Sequence, residues 1–114
     1  MLFCDSVCLY ERDVFLLVTE LAQMGSVVDL VDTLEFSGRS LSHRDVDEIM
    51  EGVRSGVEEL NALGLRHGDL HPRNVLVFSY APILAKLGDF GECVEGETES
   101  AEVERFEREL RKLL

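Results

Sequence analysis

The sequence predicts a small α+β fold in which short strands and amphipathic helices share one core. Three features predict it: the apolar run Val14–Thr19, a stretch of helical periodicity after Ser42, and a pair of apolar runs, Val75–Phe78 and Ile83–Leu87. Apolar runs of this length between polar turns suit buried strands, whereas apolar residues three and four positions apart suit one face of a helix. A chain of 114 residues has room for one small domain.

The acidic composition argues against nucleic acid as a partner. The chain has 23 acidic residues against 11 lysines and arginines, a net charge of -12, so no basic stripe could replace counterions on a phosphate backbone. No apolar run approaches the length of a membrane span, and the start lacks the pattern of a signal peptide. Cys4, Cys8 and Cys93 are an odd number without framework spacing. We therefore expect reduced thiols and a soluble, cytoplasmic protein that binds neither nucleic acid nor membrane.

The first part of the chain is expected to form a hairpin followed by a helix. Leu2–Leu9 and Val14–Thr19 have the composition of strands and are joined by a polar turn. Ser26 has an acidic residue, Asp29, three positions later, which is the pattern of a helix-capping pair. Residues 35–41 are expected to form a loop.

The longest helix is expected to begin after Ser42, which pairs with Asp45 as a cap, and to run to about Leu63. Two glycines inside it, Gly52 and Gly56, each cost roughly 1 kcal/mol relative to alanine. We interpret them as positions of close packing against a neighbouring helix. The predicted buried face contains Val46, Ile49, Met50, Val53, Val57 and Leu60.

Polar side chains suited to phosphoryl transfer occur between residues 67 and 91. Asp69, Asn74 and Asp89 stand among apolar stretches that resemble strands. One carboxylate can orient or deprotonate an attacking hydroxyl, while a carboxylate and a carboxamide can hold Mg²⁺ against nucleotide phosphates. The hairpin predicted after residue 74 would bring Asn74 and Asp89 close together, as a shared metal ion requires.

The run His-Gly-Asp-Leu-His-Pro-Arg-Asn that begins at His67, followed by Asp-Phe-Gly at Asp89, resembles the catalytic and metal-binding loops of the protein-kinase superfamily. The resemblance implies that Asp69 is the catalytic base, that Asn74 and Asp89 are Mg²⁺ ligands, and that ATP is the phosphate donor. His67 and Phe90 are expected to pack on each other as structural residues.

Residues 20–31 resemble the segment that joins the two lobes of a protein kinase, together with the short helix that follows it. The resemblance places Thr19 at the gatekeeper position behind the adenine pocket. It also places the backbone carbonyl of Glu20 and the backbone N–H of Ala22 against the adenine edge. Leu76 would form the floor of the adenine pocket, or belong to the core if the resemblance fails.

The resemblance covers residues 1 to about 91 and implies a partial protein-kinase-like fold, with hinge strands and a helical C-lobe that carries the catalytic-loop hairpin. No Gly-x-Gly-x-x-Gly loop or Val-Ala-Ile-Lys-like strand can be placed before the hinge, and Lys86 belongs to the strand that leads to Asp89. We therefore expect a fragment that is inactive alone, with a possible partner protein that supplies the N-lobe or regulates the chain. The expected divisions are an N-lobe remnant (1–19), the hinge (20–25), the C-lobe (26–91), an acidic linker (92–99) and an amphipathic helix (100–114).

The chain departs from the family pattern after Gly91. Residues 92–99 are acidic and expected to be mobile, and no Ala-Pro-Glu motif follows. The terminal helix has an apolar stripe of Val103, Phe106, Leu110 and Leu113, and two charge pairs four residues apart, Glu104/Arg108 and Glu107/Arg111. We interpret it as a helix that packs its stripe on the core. The central C-lobe helix and a partner-binding helix are alternatives.

The acceptor of the phosphoryl group is left open by two substitutions. Gly68 stands where many protein kinases have arginine, and His71 stands where serine/threonine kinases usually have lysine. The run His-Gly-Asp-Leu-His also resembles small-molecule kinases such as the aminoglycoside and choline phosphotransferases. The expected function is ATP- and Mg²⁺-dependent transfer to a Ser, Thr or Tyr hydroxyl of a protein substrate. A small-molecule phosphotransferase and a non-catalytic pseudokinase-type binding module are the alternatives.

Overall fold

The structure is a computed structural model that describes residues 6–11, 14–19, 22–88 and 93–114. The predicted α+β class is confirmed. The described strands pair in three two-stranded antiparallel sheets, β1 with β2, β3 with β6 and β4 with β5. In chain order the elements are β1 (Ser6–Glu11), β2 (Val14–Thr19), α1 (Val27–Phe36), α2 (His43–Ala62), β3 (Leu65–Arg66), a 3₁₀ turn (Pro72–Asn74), β4 (Val75–Ser79), β5 (Leu84–Leu87), β6 (Val94–Glu95) and α3 (Ser100–Arg111).

Both predicted helix caps are formed. The hydroxyl of Ser26 accepts the N–H of Asp29 at 3.3 Å, and the Asp29 carboxylate accepts the N–H of Ser26 at 2.9 Å. Ser42 and Asp45 make the same reciprocal pair at 3.1 and 2.9 Å. Each pair satisfies backbone donors that the first turn of a helix leaves without a partner.

The first helix is longer than predicted, because its end is set by Gly38 and not by the polar residues before it. Gly38 has a φ of 71°, and its N–H donates to the carbonyl of Glu35 at 2.9 Å. The N–H of Arg39 donates to the carbonyl of Leu34 at 2.7 Å. These two bonds form the glycine-terminated motif that commonly ends a helix, so Glu35 and Phe36 belong to α1 and not to the predicted loop.

The long helix α2 packs on strand β5, and this corrects the interpretation of Gly52. A β-carbon at Gly52 would lie 2.2 Å from the carbonyl oxygen of Ala85, so the glycine allows close approach to a strand and not to a helix. All six residues predicted for the buried face of α2 are in the core. Strand β5 and strand β4 contribute the opposite wall through Val75, Val77, Ala85 and Leu87.

The terminal helix α3 packs on the core as predicted, with Phe106 and Leu110 buried and Val103 and Leu113 partly buried. Of the two predicted charge pairs, Glu107–Arg111 is formed at 3.1 Å. Glu104 and Arg108 make no such pair with each other or with another described residue. Arg54 of α2 also reaches Glu107, at 2.5 Å.

The segment expected to be a mobile acidic linker is attached to the fold through its described part. Strand β6 pairs with β3, in the register Leu65 with Glu95 and Arg66 with Val94. Arg66 also forms an ion pair with Glu102 at the start of α3. In the described ranges, no helix is both long and apolar enough to cross a membrane.

Candidate active site

The short 3₁₀ turn Pro72–Asn74 holds the predicted catalytic loop in a compact form. His71 precedes it in an extended conformation, and its ring Nδ1 accepts the N–H of Arg73 at 3.2 Å. Pro72 has no N–H to satisfy and a φ suited to the first position of a turn. The carbonyl of His71 accepts the N–H of Asn74 at 2.8 Å, so the turn fixes the position of Asn74.

Asp69 and Asn74 are in direct contact. The side-chain nitrogen of Asn74 donates to the backbone carbonyl of Asp69 at 2.7 Å and to its carboxylate at 3.0 Å. Asn74 is 8% exposed, whereas Asp69 is exposed to solvent. The carboxamide oxygen of Asn74 makes no hydrogen bond with another residue of the described ranges, and it is not one of their buried, unsatisfied atoms. The amide therefore directs its nitrogen to Asp69, the predicted base.

His67 connects the catalytic loop to the end of β5. Its ring is fully buried, with Nε2 2.7 Å from the carbonyl oxygen of Gly88 and Nδ1 accepting the N–H of Asp69 at 3.2 Å. Because Nδ1 acts as an acceptor and a carbonyl can only accept, this pattern assigns the ring proton to Nε2 and a neutral imidazole. The predicted packing partner, Phe90, lies outside the described residues.

Gly88 lies against both the catalytic turn and Leu76. Its N–H donates to the carbonyl of Asn74 at 2.8 Å. A β-carbon at Gly88 would lie 2.9 Å from Cδ1 of Leu76, so a larger residue would require the Leu76 side chain to shift. Asp89, the second predicted metal ligand, lies outside the described residues. Within the described ranges, no three His, Cys, Asp or Glu side chains are grouped to hold a metal ion.

The segment predicted to contact adenine adjoins this hairpin. Strand β2 ends at Thr19, and Glu20 lies outside the described residues. The carbonyl of Ala22 accepts the N–H of Gly25 at 3.0 Å, a turn that does not use the N–H of Ala22. The N–H of Val77 then donates to the carbonyl of Gly25 at 2.8 Å, and the adjacent Leu76, half-buried, pairs with Ser26. The described part of the predicted hinge therefore lies beside Leu76.

Two residues near the site were missed by the sequence interpretation. Thr98 is buried, and its hydroxyl accepts the N–H of His67 at 3.4 Å. Asn61, near the end of α2, accepts the N–H of Thr98 at 2.9 Å. Thr98 stands in an acidic stretch typical of an exposed loop, so neither composition nor periodicity could have identified it.

An ion pair flanks the site directly before His67. The hydrogen bond and charge of Glu102 raise the pKa of the Arg66 guanidinium. Burial acts to raise the pKa of Glu102, but the hydrogen bond from Arg66, a backbone N–H and nearby positive charge together lower it. The pair links β3 to the first turn of α3 at the entrance to the catalytic loop.

Residues 5–109 match the family model described as the protein kinase domain. The chain belongs to the protein kinase family. The match includes the catalytic turn, the β4–β5 hairpin and most of α3. Membership also identifies the chain, by resemblance, as a phosphotransferase of the protein-kinase type.

The relatives of this kinase chain include enzymes named for different acceptors. It is 27% identical over 97 residues to a probable serine/threonine-protein kinase, FMP48, of Saccharomyces cerevisiae, with 81% of the chain covered. It is 37% identical over 86 residues to the tyrosine-protein kinase Src64B of Drosophila melanogaster, with 75% covered. It is 34% identical over 56 residues to a probable dual specificity protein kinase, the YAK1 homolog of Encephalitozoon cuniculi, with 49% covered. The matches span 26%, 15% and 14% of those proteins.

Proposed function

We propose that this kinase chain supplies the catalytic loop for ATP- and Mg²⁺-dependent transfer of a phosphoryl group to a hydroxyl of a protein substrate. The observation that supports the proposal best is the contact between Asp69 and Asn74, in which one amide binds both the carbonyl and the carboxylate of the proposed base. A base and a metal ligand that share a hydrogen bond keep a fixed separation, and positioning of this kind supplies much of the catalysis in phosphoryl transfer.

In this proposal Asp69 accepts the proton of the attacking hydroxyl. Its carboxylate is exposed to an incoming substrate, while its backbone is held by His67 and Asn74. The oxygen of Asn74 and the carboxylate of Asp89 would hold Mg²⁺, for which hard oxygen donors are the preferred ligands. The carboxamide oxygen fits such a role, and the metal would neutralise charge on the transferred phosphate.

The proposed ATP site lies on the side of the hairpin that faces the hinge. Leu76 would contact the adenine ring, and Thr19, Glu20 and Ala22 would line its edge. The 114 residues contain neither a glycine-rich loop nor a recognisable phosphate-holding lysine. Lys86 lies with its ammonium group 4.8 Å from the centre of the Phe78 ring. We therefore infer that these residues are inactive alone and need an ATP-binding lobe from additional chain or from a partner protein.

The test is a chimera in which the ATP-binding lobe of the Src64B kinase precedes residue 14 of this chain. Transfer of radioactive phosphate from ATP to generic protein substrates is expected for the chimera and not for residues 1–114 alone. Asp69→Asn should abolish transfer, whereas Asp32→Asn, at an exposed position of α1, should leave it unchanged.

A folded chimera that binds Mg-ATP but transfers no phosphate would contradict the proposal and favour a non-catalytic binding module. Transfer to an aminoglycoside or to choline, but not to protein, would favour the small-molecule alternative. Equal activity of the Asp69→Asn variant and the unmodified chimera would show that Asp69 is not the base.

Purified from a cytosolic fraction, the chain should carry reduced thiols, in keeping with the proposed intracellular location.

A further inference from the structure

Asn61 and Thr98 form a reciprocal contact that joins helix α2 to the segment before α3. The N–H of Thr98 donates to the side-chain oxygen of Asn61 at 2.9 Å, and the side-chain nitrogen of Asn61 approaches the carbonyl of Thr98 at 3.5 Å. The amide thus pairs with both backbone groups of one residue. Such a contact fixes the direction of the chain at Thr98 as well as its position.

The Thr98 side chain extends this contact to the catalytic loop. Its hydroxyl accepts the N–H of His67 at 3.4 Å, in a buried environment. His67 in turn binds the carbonyl of Gly88 and the N–H of Asp69. One continuous set of hydrogen bonds therefore runs from α2, through Thr98 and His67, to the backbone of the proposed base.

The orientation of Thr98 is unusual for its surroundings. Glu97 and Glu99 on either side are exposed, whereas Thr98 is 5% exposed. Removing a buried hydroxyl costs more stability than removing one that is in water, because no water molecule can replace it as the hydrogen-bond partner. The segment therefore contributes one polar side chain to the interior at a point where that side chain contacts His67.

We propose that Asn61 and Thr98 are positioning residues for the phosphotransfer proposed above, and that they hold the catalytic loop in its working conformation. The Asn61–Thr98 contact fixes the same loop from the side of α2 by neutral hydrogen bonds. The inference rests on the proposed function, but its structural part can be measured without activity.

The experiment is backbone amide hydrogen exchange of the chain, measured residue by residue for three variants. Thr98→Val removes the hydroxyl and keeps the branched shape, and it should speed exchange of the His67 and Asp69 amides about fivefold, as expected for loss of one hydrogen bond. Thr98→Ser keeps a hydroxyl and should restore slow exchange. Thr33→Val is the matched control, since that hydroxyl only binds the carbonyl of Asp29 on α1.

Two results would overturn the proposal. One is unchanged exchange at His67 and Asp69 in Thr98→Val; the other is a uniform rise that also includes the amides of β4 and the middle of α2, which would indicate a general loss of stability. If Thr98→Val does not fold, Asn61→Ala should give the same local increase. In an active chimera, Thr98→Val should lower kcat with unchanged KM for ATP. An inactive chimera would contradict the proposed function. The hydrogen-exchange experiment would still test whether the Asn61–Thr98 contact holds the catalytic loop.

Discussion

The side-chain nitrogen of Asn74 lies 2.7 Å from the backbone carbonyl oxygen of Asp69 and 3.0 Å from its carboxylate. This contact determines which way the amide is turned, because only its nitrogen can donate. Because the same amide binds both the charged carboxylate and the backbone of Asp69, this contact also stabilises the local fold. Substitutions at either residue should therefore change stability as well as activity.

Replacing Asn74 by aspartate should destabilise the chain in a pH-dependent manner. Asn74→Asp puts two carboxylates in contact, and repulsion between them should raise the pKa of one. The loss, about 2 kcal/mol at pH 7, should shrink as the pH falls through that raised pKa and one carboxyl becomes protonated. Urea unfolding without Mg²⁺ at pH 7 and pH 4.5 measures it.

The double variant in which these two residues are swapped is the control for this prediction. The double variant Asp69→Asn with Asn74→Asp again places one amide against one carboxylate, so it should recover the part of the loss due to charge repulsion, while the hydrogen bond to the backbone carbonyl of residue 69 stays lost. A loss in the single variant that is the same at both pH values would contradict charge repulsion as its cause.

The chain by itself is expected to bind Mg-ATP weakly. The described site provides a hairpin with Leu76 and the catalytic turn, but the 114 residues provide no glycine-rich cover for the phosphates. Calorimetric titration with Mg-ATP should therefore show a Kd well above the micromolar range. Micromolar affinity would show that the phosphates are held by groups that we have not identified.

Gly52→Ala should destabilise the protein although alanine is the better helix former. Helix propensity alone favours alanine by about 1 kcal/mol, but the new β-carbon would lie 2.2 Å from the carbonyl oxygen of Ala85. Separating α2 from β5 should cost more than this gain, for a net loss of about 2 kcal/mol. Denaturant unfolding measures the change. Glu51→Ala, at the exposed neighbouring position, should alter stability by only a few tenths of a kcal/mol, and stabilisation by Gly52→Ala would contradict the close approach.

The ion pair between Arg66 and Glu102 should contribute stability that is lost in acid. The folded-state pKa of Glu102 is lowered from its ordinary value of 4.5, so its contribution is complete above that value and disappears as the pH falls through the lowered pKa. Glu102→Gln should therefore be less stable than the unmodified chain at pH 7, and the difference should close as the pH falls through the lowered pKa. Thermal unfolding across this range measures it, with Glu104→Gln, an exposed position on the same helix, as control. A difference in stability between Glu102→Gln and the unmodified chain that is the same at every pH would show that Glu102 acts through packing.

The sequence by itself determined the local elements and the family of this chain. Both capping pairs, the buried face of α2 and the β4–β5 hairpin depend on residues within a few positions of each other, where side-chain chemistry and periodicity are decisive. Although His-Gly-Asp-Leu-His left small-molecule kinases open as an alternative, the order His-Gly-Asp before Asn74 and Asp-Phe-Gly after the hairpin predicted the protein-kinase superfamily. The family model that matches residues 5–109 bears this out.

Only the tertiary structure decided which distant residues meet. The partner of Gly52 is a carbonyl on β5, more than thirty positions later in the chain, and periodicity carries no information about it. From the sequence, Thr98 is predicted to lie in an exposed acidic stretch. In the structure, β6 pairs with β3, and the Thr98 hydroxyl accepts the N–H of His67. The physical reason is that hydrogen bonds between distant segments depend on how the whole core packs. A helix cap or an apolar stripe depends only on residues that are close together in the sequence.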